Sequence, residues 1–228
     1  MSIIDEVTAS VDAVFSQLDA PSWPDPHAER RTVEEEYGRV THPGRFRALR
    51  LRLEAWRERL VDDWGVELAE SSVPRTHDAD LEGEESTATA SLWTSPREGT
   101  LPLRVTVSET GGVTCIQLGI GDDAVDFGCL PECACDACDA GSAALLADLD
   151  AFLISVISGN LVVVIGPAVV DGSGLERPSF LVVATEEDWL LQGEGPAETA
   201  EIVDAVRSGD DPHLPAGCVV HHGAPWIA

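Results

Sequence analysis

The sequence predicts an α+β protein, with helices packed on a mainly antiparallel β-sheet. Three observations carry that prediction. Helical periodicity dominates residues 1–65, apolar alternation flanks Thr110-Gly111-Gly112, and two unbroken apolar runs lie on either side of Asp171-Gly172-Ser173-Gly174.

Ile4, Val7, Val11, Phe15 and Leu18 recur at steps of three and four, one face of an amphipathic helix that ends before Pro21. Trp23-Pro24-Asp25-Pro26-His27 is extended or turning, because each proline pushes its predecessor out of the helical region. Thr32 and Glu35 have capping-box spacing for a short helix through Val40, stopped near Pro43. From Gly44 to Trp64, the stripe Phe46, Leu49, Leu53, Trp56, Leu60 and Trp64 predicts the main helix, with Gly65 as its C′ residue.

Residues 66–100 carry the least pattern, and the acidic stretch His77 to Glu85 reads as a surface loop and the best place for an internal boundary. Leu101, Leu103, Val105 and Val107 alternate before the Gly-Gly turn, and Ile116, Leu118 and Ile120 after it, which predicts a hairpin with one buried face. Ser142 is placed to cap a helix carrying Leu145, Leu149, Phe152, Leu153 and Val156, closed by Gly159. Leu161 to Ile165 and Phe180 to Val183 read as central strands of the same sheet. A last helix from Pro196 to Arg207 and an edge strand from Cys218 to His221 complete the reading. The organisation expected is an N-terminal helical segment, 1–65, packed on a sheet region, 66–228, in one compact domain.

The chain has 228 residues and 44% hydrophobic content, ample for a buried core. Its net charge of −27 repels phosphate backbones and anionic bilayers, so nucleic-acid and membrane partners are not expected. All 14 basic residues are arginine, a bias that suggests a GC-rich bacterial genome. Nine of those arginines fall between residues 30 and 59 against five glutamates, either an anion or partner site or a face that pairs with the acidic body. Met1-Ser2-Ile3-Ile4-Asp5-Glu6 has no basic n-region and no apolar core of a signal peptide, which predicts a cytoplasmic protein. Ala151 to Val170 is uncharged but is broken by Ser158-Gly159-Asn160 and Gly166-Pro167, and reads as a buried helix and strand.

Chemistry concentrates in one place. Cys129, Cys133, Cys135 and Cys138 lie within ten residues, and thiolates on a tight loop supply the soft ligands of a tetrahedral zinc site. Cys133, Cys135 and Cys138 are the candidate ligands, with Cys129, Cys218, His221 or His222 as candidates for the fourth. A packed free-thiol loop and a reversible disulfide are the competing readings. Asp136 and Asp139 add negative charge to the loop, while the helix start after Ser142 offers a partial positive charge that favours thiolate. No catalytic residue is assigned: His27, His42, His77, His213, His221 and His222 fit no nucleophile signature, and Asp122, Asp123 and Asp126 lack the spacing of a calcium loop.

Trp23-Pro24-Asp25-Pro26-His27, Glu34-Glu35-Glu36-Tyr37-Gly38-Arg39-Val40-Thr41, Cys133-Ala134-Cys135-Asp136-Ala137-Cys138-Asp139-Ala140-Gly141-Ser142 and His222-Gly223-Ala224-Pro225-Trp226 together resemble a family of uncharacterised actinobacterial proteins with a Cys-x-Cys-Asp-x-Cys-Asp motif. The resemblance implies a cytoplasmic bacterial protein of unassigned activity. Its pattern contains Cys133, Cys135 and Cys138 and not Cys115, Cys129 or Cys218, which favours three thiols and a non-cysteine fourth ligand. The function expected is a non-enzymatic binding or regulatory protein whose cysteine loop holds structural zinc, with a protein as its partner. Two alternatives stand beside it. One is a metal- or cysteine-dependent hydrolase using Cys135 or Cys138 with a C-terminal histidine; the other is an acidic immunity or decoy protein for a basic partner.

Overall fold

A computed structural model of the chain describes residues 2–71, 87–121, 125–170, 172, 174, 176–185, 189–193 and 195–227. His77 to Glu85, Asp122 and Asp123 lie outside the described residues. Among the described residues, four helices and antiparallel sheets make the chain α+β, as its periodicities predict. The residues divide into two compact units, Met1–Pro96 with Pro102–Phe152, and Arg97–Leu101 with Leu153–Ala228.

In the first unit, α1 (Ile3–Phe15) opens on a capping box in which the amides of Ser2 and Asp5 each donate to the other's side-chain oxygen, and it buries Val7 and Val11. The main helix begins one turn later than the sequence suggests. Pro43–Phe46 is a 3₁₀ turn, and α2 (Arg47–Trp64) follows, burying Leu49, Leu53, Trp56 and Leu60 and ending on Gly65 in the left-handed region. The short helix expected from Thr32 to Val40 is reduced to a 3₁₀ turn at Glu34–Glu36. The reason is local: Glu36, one residue beyond the expected capping position, accepts from the Val33 amide so that the turn starts late, and Gly38 turns the chain at φ +71°.

Five strands form one antiparallel sheet in chain order: β1 (Glu67–Ser71), β2 (Thr87–Thr94), β3 (Leu103–Thr110), β4 (Val113–Ile120) and β5 (Val125–Leu130). The Gly-Gly hairpin is therefore present as β3 and β4, but β1 and β2 arise where the sequence showed no pattern. β3 is buried on both faces at its start, because Arg104 pairs with Asp126 across β4 instead of pointing to solvent. α2 packs on β4 and α1 on α2, which places Trp56, Ile116 and Leu118 in one core.

The arginine-rich segment resolves into ion pairs. Arg52, almost fully buried, bonds Asp12 at 2.7 Å and grips Asp150 through Nε and Nη2, and Trp56 Nε1 donates to the same Asp150 carboxylate. Arg47 reaches Asp19, Arg50 reaches Glu109, and Arg59 reaches Glu58, Asp62 and Asp63. Pairing with the acidic body accounts for these residues.

α3 (Gly141–Ile157) gives its first part to the first unit and its last turn to the second. The second unit has its own sheet, in the order β10 (Trp189–Gly193), β9 (Phe180–Ala184), β6 (Val162–Ile165) and β11 (Val219–His222), all antiparallel. A small hairpin of β7 (Ala168–Val170) and β8 (Glu176–Pro178) stands beside it in sequence. The two apolar runs do pair, as β6 and β9, but in a sheet separate from the β3–β4 hairpin, which corrects the single-sheet expectation. α4 (Thr199–Ser208) covers this sheet with Ile202 and Val203 packed against Val162, Val164, Phe180 and Val182. Among the described residues, no helix is long and apolar enough to cross a membrane.

Candidate metal centre

After β5 the chain enters the cysteine loop. Cys135 is extended and buried, a 3₁₀ turn runs over Asp136–Cys138, and the amide of Cys138 returns to the Cys135 carbonyl at 3.1 Å. This tight turn brings the three sulfurs together. The Sγ atoms of Cys133, Cys135 and Cys138 lie within 4.8 Å of one another, with Cys133 and Cys135 at 3.2 Å. Cys133 and Cys138 are exposed at the rim.

Burial pushes the Cys135 thiol up. Hydrogen bonds from the Cys133 thiol, the Gly38 amide, and the thiol and amide of Cys138 outweigh that and bring it down to about 7. Cys138 is the donor in the same network, and its bonds to Cys135 and Cys133, reinforced by burial and neighbouring charge, push it up to about 12. One thiolate stabilised by two thiols is the arrangement that a thiophilic cation replaces when it binds.

The loop is held from outside by residues about a hundred positions earlier. Asp136 accepts from the Thr41 amide at 3.0 Å, the Thr41 hydroxyl at 2.5 Å and Arg39 Nε at 2.7 Å, and its own amide donates to the Arg39 carbonyl. Those donors hold its carboxyl well below the usual carboxylate range. His27 Nε2 lies 3.0 Å from the Asp136 carbonyl oxygen. Asp139 accepts from Trp23 Nε1 at 2.9 Å and the Gly141 amide at 2.9 Å, and pairs with Arg45 at 2.8 Å. Arg45 in turn lies 5.2 Å from the ring centroids of both Trp23 and Phe46.

A second clamp supports the first. Glu36 takes Arg30 through both oxygens and the Val33 amide at 2.9 Å, and Arg30 with that amide lowers its carboxyl to about 2. Glu36 and Asp136 each lie within 4.0 Å of Arg39, which ties the two clamps together.

Ser142 has a different role from the expected helix cap. Its hydroxyl donates to the Trp23 carbonyl at 3.0 Å and accepts from the Trp23 amide at 3.1 Å, while Asp139 satisfies the Gly141 amide at the helix start. Gly141 has φ +86°, and a Cβ there would meet the Asp25 nitrogen at 2.6 Å. The Trp23-Pro24-Asp25 segment lies directly against it, which only glycine permits.

Of the sequence-predicted ligands, the structure brings together Cys133, Cys135 and Cys138. Cys129 stands in β5 opposite Gln117, outside that group. Cys218, His221 and His222 belong to the second unit, where His222 Nδ1 lies 3.1 Å from the Leu161 carbonyl oxygen. Asp126 is occupied by Arg104 and Gln117. The residues missed from sequence are the clamp: Trp23, His27, Glu36, Arg39, Thr41 and Arg45. Trp23, His27, Glu36, Arg39 and Thr41 lie in the first two of the four quoted motifs, which converge on the loop of the third; Arg45 lies in none of them.

The fourth motif has a separate job in the second unit. Ala224 donates to the Gly99 carbonyl at 2.8 Å, and Trp226 donates through its amide to Ile157 and through Nε1 to Leu101. Beside it lies an open cavity of about 380 Å³ bordered by Gly99, Asn160, Arg207, His222 and Pro225.

No curated protein and no solved structure matches the chain. A family model described as a family of unknown function, DUF6226, matches residues 11–228, a span that holds the clamp, the cysteine loop and the second unit, and the chain belongs to that family.

Proposed function

We propose that this is a cytoplasmic, non-enzymatic binding or regulatory protein in which Cys133, Cys135 and Cys138 hold a structural zinc ion. One observation carries the reading: three sulfurs lie within 4.8 Å of one another on a turn fixed by two neutralised aspartates. Zinc is favoured because soft thiolates select it over hard cations, and because its lack of ligand-field preference tolerates a donor set imposed by a turn. The arginine-only basic residues and the quoted motifs support a bacterial, and more narrowly actinobacterial, source within the same proposal. The metal would brace the loop between β5 and α3, and a protein partner would read the surface so shaped.

The test is metal content with thiol titration on full-length protein prepared under reducing conditions without chelator. About one zinc per chain is expected, falling at least tenfold in Cys135→Ser. Absence of stoichiometric zinc, with all six thiols reactive in the native state, overturns the reading.

A further inference from the structure

A tetrahedral ion takes four donors, and the loop presents three thiols. The two carboxylates that interleave with them are already spent. Asp136 uses Oδ1 on the Thr41 amide and Oδ2 on the Thr41 hydroxyl and Arg39. Asp139 uses Oδ1 on Trp23 and Gly141, and Oδ2 on Arg45. Turning either one to a metal would open the clamp that shapes the loop. His27, the nearest imidazole of the clamp, directs Nε2 at the Asp136 carbonyl oxygen and stands outside the sulfur group. Cys129 is outside it as well, held in β5.

Exposure points the same way. Cys135 is buried beneath the loop whereas Cys133 and Cys138 are exposed, so the sulfur group opens towards solvent. Arg39 and Arg45 pair with Asp136 and Asp139, so the two aspartates that interleave with the thiols add no uncompensated charge beside the sulfur group.

We propose that the tri-thiolate site carries its metal with one coordination position open, and that this position takes a soft donor from solution, the thiolate of a small-molecule thiol. A thiolate matches the softness of the three donors already present, where water and carboxylate are harder ligands. The inference rests on the metal reading of the same three cysteines. It makes the loop a receptor for a thiol ligand as well as a brace.

Cobalt(II) substitution separates the two readings. Full-length protein is loaded with cobalt under anaerobic conditions with a phosphine reductant, so that no thiol is present, and its near-ultraviolet sulfur-to-cobalt charge-transfer band is recorded. 2-Mercaptoethanol is then added. A saturable rise of the band by about one third, as three Co–S bonds become four, with the cobalt still bound, is the expected result. Imidazole at the same concentrations should leave the band intensity unchanged. A charge-transfer band that ignores the thiol means the fourth position does not take one, and overturns this inference while the metal reading stands. Loss of the band with release of cobalt overturns it too. Absence of any charge-transfer band removes the metal reading, and this inference with it.

Discussion

The indole of Trp23 donates to the carboxylate of Asp139, at 2.9 Å to Oδ1 and 3.2 Å to Oδ2, across 116 residues of sequence. The same carboxylate caps the start of α3 and neutralises Arg45, so one side chain joins the N-terminal segment, the cysteine loop and a helix.

Asp139→Ala removes that shared acceptor and leaves the half-buried Arg45 with only its longer ion pair to Asp136, at 3.8 Å. Losing a buried, charge-assisted group costs about 2–4 kcal/mol. The urea midpoint should fall with the slope unchanged, and Asp139→Asn, which still accepts from the indole and the amide, should recover roughly half of the loss. An Asn variant as weak as the Ala variant would place all of the effect in the Arg45 charge.

Gly141→Ala combines a left-handed backbone with a collision against the Asp25 backbone, and neither side can move without breaking the Trp23–Ser142 exchange. The expected cost exceeds about 3 kcal/mol. Gly209→Ala, at φ +75° with nothing within 4 Å of the added Cβ, carries only the backbone term of about 1 kcal/mol. Equal thermal midpoints for the two variants would contradict the close approach at Gly141.

Much of this fold was legible because burial imposes a period. Val7 and Val11, and Leu49, Leu53 and Trp56, repeat at helical spacing and are the residues buried. β1 was not legible because Glu-Leu-Ala-Glu-Ser has no apolar alternation and is almost wholly exposed; its pairing with β2 defines it. Nor does an apolar run state which sheet it joins, so β6 and β9 could be recognised as partners but not separated from the first sheet. The three thiols were legible from their spacing. Their clamp was not, since hydrogen bonds from Trp23, Arg39 and Thr41 leave no periodic trace at the aspartates that receive them.

Acid should undo the second clamp before the cores. Glu36 has its folded-state pKa lowered from 4.5 to about 2 by Arg30, so its contribution is complete above the unfolded value and is lost as pH falls towards about 2. The thermal midpoints of wild type and Glu36→Gln should differ by a constant amount above about pH 5 and converge near pH 2. A gap that persists at the acid end would show that the carboxylate's charge is not what Arg30 and Val33 recognise.

Metal loading should release protons. In the metal-free loop the Cys138 thiol sits at about 12, so at neutral pH it must lose its proton to ligate, while Cys135, at about 7, is already partly ionised. Zinc titration calorimetry at about pH 7.5, in two buffers of different ionisation enthalpy, should give at least one proton released per ion, and affinity should fall on acidification. Binding with no buffer dependence would exclude Cys138 as a ligand.

Trp23, Arg39, Thr41 and Arg45 leave the ribosome well before the aspartates they grip. At ~5–20 residues per second, the interval between Trp23 and Asp139 lasts roughly 6–23 s, during which the indole of Trp23 lacks its carboxylate acceptor. Closing a loop of that length draws on contacts made elsewhere in the first unit, since local turns cannot pay its entropy. The thiol cluster is thus among the last parts of the first unit to take shape during synthesis, and the metal capture proposed there would report completed assembly of that loop.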